Sequence, residues 1–139
     1  MRQTPPLWFW IVSALGLFWN LAGVAAFVHE MFLMDLGSLP EIQRLYFEER
    51  PLWATAGYAA AVLGGALGCV ALLLRKEWAL PMLLICLVGI VIQIFHSLAL
   101  GNALEIFGPE GLALPVMVFT IACLLTWFAY YARHRQWID

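Results

Sequence analysis

Apolar residues form four long runs along the chain, and the charged residues fall almost entirely between them. The runs cover about residues 7–28, 52–74, 78–100 and 112–131. Each is close to the roughly 20 residues that an α-helix needs to cross a bilayer. Prolines at or near the start of each run mark helix beginnings, where the missing N–H costs least. The pattern predicts an all-α integral membrane protein, a four-helix bundle that forms a single transmembrane domain over residues 1–139.

The composition indicates a membrane environment. Of the 139 residues, 64% are hydrophobic and 12% are charged, whereas soluble domains have about 45–50% apolar and about 25% charged residues. The net charge of -2 and the scattered Lys and Arg residues exclude a nucleic-acid-binding surface. The first run is longer than a signal peptide needs, and it contains Trp8, Trp10, Trp19 and Asn20. We therefore expect the first run to be retained as a helix.

Basic residues predict the orientation, because short loops that carry them stay on the cytoplasmic side of a membrane. Arg2, Arg75, Lys76, Arg133 and Arg135 fall on one side of the four spans, and most acidic residues fall on the other. Both termini are therefore expected in the cytoplasm, and the two longer loops are expected outside it.

The first outer loop contains a short amphipathic segment at about residues 39–49. Ile42, Leu45, Tyr46 and Phe47 recur at helical spacing among charged residues. An amphipathic helix of this kind lies in the membrane interface. A structural lid over the bundle is the simpler interpretation of this helix, and a gating element is the alternative.

Small residues line one face of the first span and one face of the second. Helices in lipid associate by close packing of small side chains, because lipid tails are as apolar as leucine. The helix-packing candidates are Gly16, Gly23, Gly57, Ala61, Gly64, Gly65 and Gly68. We expect their partners within this chain, with a homodimer or a larger membrane complex as the alternative.

Polar side chains inside the spans are the candidate ligand-binding residues. An unsatisfied amide or imidazole is costly in hydrocarbon, so these groups should face the interior of the bundle. A rise of about 1.5 Å per residue places one hydrogen-bonding side chain from each helix at a similar depth. These side chains are Asn20, Tyr58, Gln93 and Thr120, and His96, Glu30 and Glu105 are expected nearer the outside.

Two interpretations of this layer remain open. In the first, the layer is interhelical hydrogen bonding, with Asn20 bonded to Gln93 or to a backbone carbonyl. In the second, it is a polar pocket, open to the outside and capped by acidic groups, that binds a small hydroxylated or cationic ligand.

Metal binding and catalysis find no support in the residue spacing. His29, Glu30, His96 and Glu105 lack the spacing of a metal site, and no hydrolase, metalloprotease or paired-acid motif is present. The three cysteines lie in apolar runs as small buried residues. We expect no metal, no cofactor and no enzymatic activity.

Several short segments of the chain are similar to segments of a known protein family. They are residues 18–23 (FWNLAG), 51–54 (PLWA), 74–81 (LRKEWALP), 103–105 (ALE), 107–109 (FGP) and 136–138 (QWI). Together they resemble a family of small four-span bacterial inner-membrane proteins, sometimes loosely described as sugar transporters, over nearly the whole chain. Members of that family often carry Gln near the position of His29, where this chain departs. The resemblance implies a multi-pass protein of the bacterial inner membrane.

The sequence thus predicts a small membrane protein, embedded in the lipid bilayer, with an outward-facing polar cavity. Such a cavity would bind a small polar solute or help to move it. The alternative function is that of a non-catalytic accessory subunit, which would pack its small-residue faces against a larger membrane protein complex.

Overall fold

The computed structural model of the chain describes residues 3–100 and 103–139, and every regular element in these residues is helical. Four helices are long and apolar enough to span a membrane. They are Leu7–Leu33, Leu52–Leu73, Ala79–Ala99 and Ala113–His134. The prediction of an all-helical chain with four helices long and apolar enough to span a membrane is confirmed.

The described chain contains six α-helices and several short 3₁₀- and π-helical turns. The α-helices are α1 (Leu7–Val28), α2 (Glu41–Glu48), α3 (Leu52–Leu73), α4 (Ala79–Phe95), α5 (Ala103–Phe107) and α6 (Ala113–His134). The long helices α1 and α4 each continue into a five-residue π-helical turn, His29–Leu33 and His96–Leu100 respectively. The short helix expected at about residues 39–49 is thus present as α2.

The long helices are arranged in the order α1, α3, α4 and α6, and each packs along its length against the next. In the most apolar stretch of α3, 56% of the residues are buried. In the corresponding stretches of the other three spans, between 17% and 28% of the residues are buried. Helix α3 is therefore the central helix, and α1 and α6 are the outer members of the bundle.

Glycines bring the backbones of α3 and α4 into contact. A Cβ atom added at Gly64 would lie 2.9 Å from the carbonyl oxygen of Met82. A Cβ at Gly89 would lie 2.5 Å from the carbonyl oxygen of Gly57. Because these distances leave no room for a larger residue, the small-residue face of α3 packs against α4 of the same chain.

The other packing candidates also face neighbouring helices. A Cβ at Gly16 would meet Leu125 and Cys69, one at Gly23 would meet Val62, one at Gly65 would meet Asn20 and one at Gly68 would meet Leu83. Ala61 is buried, and its backbone nitrogen lies against Gly89. The predicted small-residue positions therefore lie at contacts inside the bundle.

Aromatic rings close the end of the bundle that contains the α3–α4 turn. The ring centroids of Phe9 in α1 and Phe128 in α6 are 5.6 Å apart. The ring of Trp137, which follows α6, lies 5.8 Å from that of Phe9. Trp137 and Ile138 are buried, so the residues after α6 fold back into the core at this end.

Arg75 fastens both ends of the described chain to the α3–α4 turn. It has a left-handed backbone conformation (φ 59°), and the N–H of Lys76 donates to the Ala71 carbonyl at 2.8 Å, as in a Schellman cap. The Arg75 Nε donates to the carbonyl oxygen of Trp137 at 2.9 Å, and Nη2 donates to that of Gln3. We call this the closed end of the bundle, in contrast to the α2 end.

Candidate ligand site between α1 and α6

A cavity of about 310 Å³ lies between α1 and α6, with α3 and α4 as its back wall. Its α1 residues, Trp19 to Ala26, belong to the second half of that helix, so the cavity occupies the half of the bundle nearer α2. The volume is at the lower end of the roughly 300–1,000 Å³ that is typical of small-molecule sites.

The cavity opens sideways through the gap between α1 and α6. On this side its lining residues Ala22, Ala26 and Leu114 are exposed, whereas Ala61 and Cys86 on the back wall are buried. In a membrane, an opening between two spanning helices faces lipid. The cavity therefore has a lateral opening between these two helices.

The gap has a physical origin in the side chains of α1 and α6. Towards the closed end the two helices meet through Phe9 and Phe128. Gly16 also faces Leu125, where an added Cβ would lie 2.9 Å from the leucine Cδ2. Beyond Gly16, in the direction of α2, the cavity separates the two helices.

Polar side chains occupy one wall of a largely apolar cavity. Tyr58 from α3, and Gln93 and Ser97 from α4 and its π-helical turn, lie towards the α2 end. Neither the Tyr58 hydroxyl nor the Gln93 amide forms a hydrogen bond to another residue of the described chain. Two hydrogen-bonding groups are thus available to a ligand in the half of the bundle nearer α2.

Asn20 lines the same cavity but at a greater depth. The Tyr58 ring contacts the Phe27 ring at 5.0 Å, so Tyr58 is level with Phe27 on α1. Asn20 lies seven residues before Phe27, about 10 Å at 1.5 Å per residue. The prediction of a common depth was wrong for Asn20, because the first span continues to Leu33 and its α2-side boundary is further out than expected.

The Asn20 side chain is engaged in structural contacts. Its Nδ2 donates to the Gly16 carbonyl oxygen of the same helix at 2.8 Å, and it lies 3.6 Å from the Cys69 Sγ. The amide is buried directly over Gly65, where any Cβ would overlap it. The hydrogen bond to a backbone carbonyl thus lies within α1, the contact between helices is made with Cys69, and Gln93 is not the partner of Asn20.

Thr120 does not belong to the site. It lies on the exposed face of α6, and its hydroxyl donates to the Val116 carbonyl oxygen at 2.8 Å. The neighbouring positions Val118, Ile121 and Ala122 line the cavity instead. The prediction for Thr120 was wrong because a threonine hydroxyl in a helix is satisfied by the preceding turn of its own backbone and need not face the interior.

Glu30 forms a buried ion pair with Arg50 beside the cavity. The Arg50 Nη2 lies 3.4 Å from the Glu30 Oε2, and the two side chains are 4% and 16% exposed. The Arg50 guanidinium also lies over the ring of Tyr58, 5.7 Å from its centroid. The pair joins the π-helical end of α1 to the start of α3, so Glu30 is the partner of a cation and not an open acidic cap.

His96 lies outside the cavity, beneath α2. Its ring is buried, with the Trp53 centroid at 5.5 Å and the Tyr46 centroid at 6.1 Å. Its Nδ1 has no hydrogen-bond partner in the described chain. The next residue, Ser97, shares a 2.8 Å hydrogen bond with the Tyr46 hydroxyl, which fastens α2 over the end of α4.

Glu105 is exposed on α5, and His29 is exposed at the end of α1. Neither reaches the cavity lining. Among the residues that the structure describes, no three His, Cys, Asp or Glu side chains are grouped so as to hold a metal ion. The acidic and imidazole groups expected above the polar layer therefore do not form one site.

No protein-family model matches this chain, and neither a curated protein nor a solved structure is significantly similar to it. What the protein does must therefore be inferred from the cavity itself.

Proposed function

We propose that this protein binds a small molecule in the cavity between α1 and α6. The polar group of the ligand lies at Tyr58, Gln93 and Ser97, and its apolar part lies against the remaining walls. The observation that supports this function is a ligand-sized, largely apolar cavity in which the Tyr58 hydroxyl and the Gln93 amide form no hydrogen bond within the described chain. Binding sites for small molecules have this character, with a few polar groups that orient the ligand.

The lining favours a ligand with one polar end. Hydrogen-bonding side chains are concentrated near Tyr58 and Gln93, and the deeper Asn20 amide is already bonded to a carbonyl. A sugar carries hydroxyls on all sides, and each would lose hydrogen bonds to water without a replacement here. The ligand class is therefore a compact molecule with one neutral polar group.

We also propose an orientation, with the α2 end outside the bacterial inner membrane and the closed end in the cytoplasm. Arg75, Lys76 and Arg133 lie at or near the closed end, and basic residues in short loops favour the cytoplasmic side. Helix α2, with Ile42 and Leu45 exposed, then lies in the outer interface.

Protection of Cys86 by hexanol tests the proposed site. Cys86 is a free thiol on the back wall, so its reaction with N-ethylmaleimide in nanodiscs reports whether the cavity is occupied. We expect hexanol to slow the reaction. Gln93→Leu or Tyr58→Phe should raise the hexanol concentration that gives half-maximal protection of Cys86 by about two- to tenfold. The reason is that each variant loses one hydrogen bond to the ligand, worth about 0.5–1.5 kcal/mol.

Two controls separate binding from changes in the bilayer. Thr120→Val removes a hydroxyl from the lipid-facing side of α6 and should leave the protection of Cys86 unchanged. Cys123 does not line the cavity, so hexanol should not alter its labelling. Equal protection in the wild type and in both cavity variants, or equal slowing at Cys86 and Cys123, would contradict the proposal. Hexanol-induced shifts in thermal unfolding of the same samples provide a second readout.

A further inference from the structure

We infer that the ligand is an amphiphile with a single hydrocarbon chain, which enters laterally from the bilayer and lays its chain in a groove along α1 and α6. This inference rests on the proposed function, because the polar end of the amphiphile occupies the cavity described above.

The groove continues from the cavity towards the closed end. A second cavity of about 240 Å³ lies along the same pair of helices. Trp19, Ile121 and Leu125 line both spaces, so the two are adjacent and share a wall. The remaining residues of the second cavity, none with a polar side-chain group, are Val12, Leu15, Gly16 and Leu124.

Taken together, the two spaces are longer than the hydrocarbon of one leaflet of a bilayer. From Ala26, at the α2 end of the first cavity, to Val12, in the second, α1 advances fourteen residues, about 21 Å at 1.5 Å per residue. One leaflet contributes about 15 Å of hydrocarbon, half of a core about 30 Å thick. The space therefore accommodates a polar group followed by a chain of leaflet length.

The groove is open to lipid along its side. Leu15 and Leu124, which border it on the two helices, are 64% and 59% exposed. A chain can therefore move in from the bilayer without crossing a polar barrier. Since lipid tails are as apolar as leucine, this movement changes the hydrophobic free energy little.

Selection must therefore come from the polar end. A hydroxyl or carbonyl that reaches the level of Gln93 and Tyr58 finds hydrogen-bonding groups that the surrounding hydrocarbon lacks. A charged headgroup would find the nearby guanidinium of Arg50 already paired with Glu30. The amphiphile that fits is neutral, with a long-chain alcohol as the simplest representative.

Two photoreactive forms of hexadecanol test this arrangement in nanodiscs. One carries a diazirine at the end of the chain, and the other carries it beside the hydroxyl group. We expect the chain-end probe to label the segments around Val12 and Leu124, and the hydroxyl-end probe to label the segment around Gln93. Peptide mapping by mass spectrometry locates the labels.

Tryptophan substitutions fill the groove from positions that do not disturb the core. Leu124→Trp should abolish chain-end labelling near Val12, and Leu15→Trp should abolish it near Leu124. Met117→Trp and Leu21→Trp are the matched controls on the same two helices, because both residues are exposed and line neither cavity. Labelling should be unchanged in these two variants.

The outcomes distinguish this inference from the proposed function. Chain-end labelling near Val12 and Leu124 that does not exceed labelling near Leu21 and Met117 would overturn the inference. If hydroxyl-end labelling at Gln93 nevertheless persists and disappears in Gln93→Leu, the proposed binding site stands without the groove. If hydroxyl-end labelling is also no greater than that of the lipid-facing segments, both proposals fail.

Discussion

The contact between α3 and α4 and the contact between α1 and α6 are two edges of one bundle with opposite character. Along α3 and α4, glycines such as Gly64 and Gly89 bring the backbones together. Between α1 and α6, Phe9 and Phe128 meet at the closed end, and a cavity separates the helices nearer α2. We refer to these as the glycine edge and the open edge.

The difference shows what determines which helices come into contact when all of them are surrounded by lipid. Exclusion of water does not draw lipid-embedded helices together, so close backbone approach and polar contacts decide which edges close. Residues with small side chains stand at the glycine edge. At the open edge Gly16 faces the large side chain of Leu125, and beyond it the lining includes Trp19 and Ile121.

The largest expected effect comes from the ion pair that joins α1 to α3 near the open edge. Glu30→Gln leaves the buried Arg50 without its partner and should lower the free energy of unfolding by about 3–5 kcal/mol. It should also speed the labelling of Cys86, because α1 is no longer held to α3. Unfolding in mixed micelles, followed by circular dichroism, measures the first effect.

The control for that variant is an exposed pair on α2. Arg44 and Glu48 lie 3.9 Å apart and are both solvent-exposed, so Glu48→Gln should change stability by less than about 1 kcal/mol. Similar losses of stability in Glu30→Gln and Glu48→Gln would show that the buried pair does not hold α1 to α3.

A single methyl group should disrupt the glycine edge. Gly89→Ala places a Cβ 2.5 Å from the Gly57 carbonyl oxygen, and overpacking of this kind costs about 1–3 kcal/mol. Gly23→Ala is the matched control, because its Cβ meets a side-chain atom of Val62 at 3.3 Å. Replacing a helical glycine with alanine stabilises a helix by about 0.5–1 kcal/mol, and this gain should offset the free-energy cost of the close contact with Val62. Equal stability of the two variants would show that the backbone contact at Gly89 does not make the glycine edge more sensitive to an added methyl group than the side-chain contact between α1 and α3.

The smallest expected effect concerns the attachment of α2. Tyr46→Phe removes the hydrogen bond to Ser97 and should cost about 0.5–1.5 kcal/mol, with a modest increase in labelling of Cys86 by a water-soluble maleimide. Tyr130→Phe, at an exposed position on α6, should leave both quantities unchanged. An unaltered labelling rate in Tyr46→Phe would mean that α2 does not control access from its end of the bundle.

The spans and the packing glycines could be predicted from the sequence because both depend on local patterns. An apolar run of sufficient length has few alternatives to a spanning helix. Glycines at helical spacing, such as Gly57 and Gly64, must lie on one face and serve close packing. The structure adds Gly89, the α4 glycine that Gly57 meets.

The site was less predictable, because it depends on how the helices are placed relative to one another. Tyr58 and Gln93 line the cavity, whereas Thr120 faces outward. The pairing of Glu30 with Arg50 joins residues on either side of a loop, and no spacing rule indicates it. The lateral opening results from the gap between α1 and α6, a property of neither helix alone.

The extension of α1 has a further consequence. With its π-helical turn the first span has 27 residues, whereas the other three have 21 or 22. At 1.5 Å per residue this is about 40 Å, and it exceeds a hydrocarbon core of about 30 Å. A span that is too long for its bilayer tilts, and the angle depends on the local thickness. Because α1 forms one side of the lateral opening, we expect the thickness of the surrounding membrane to influence the width of that opening.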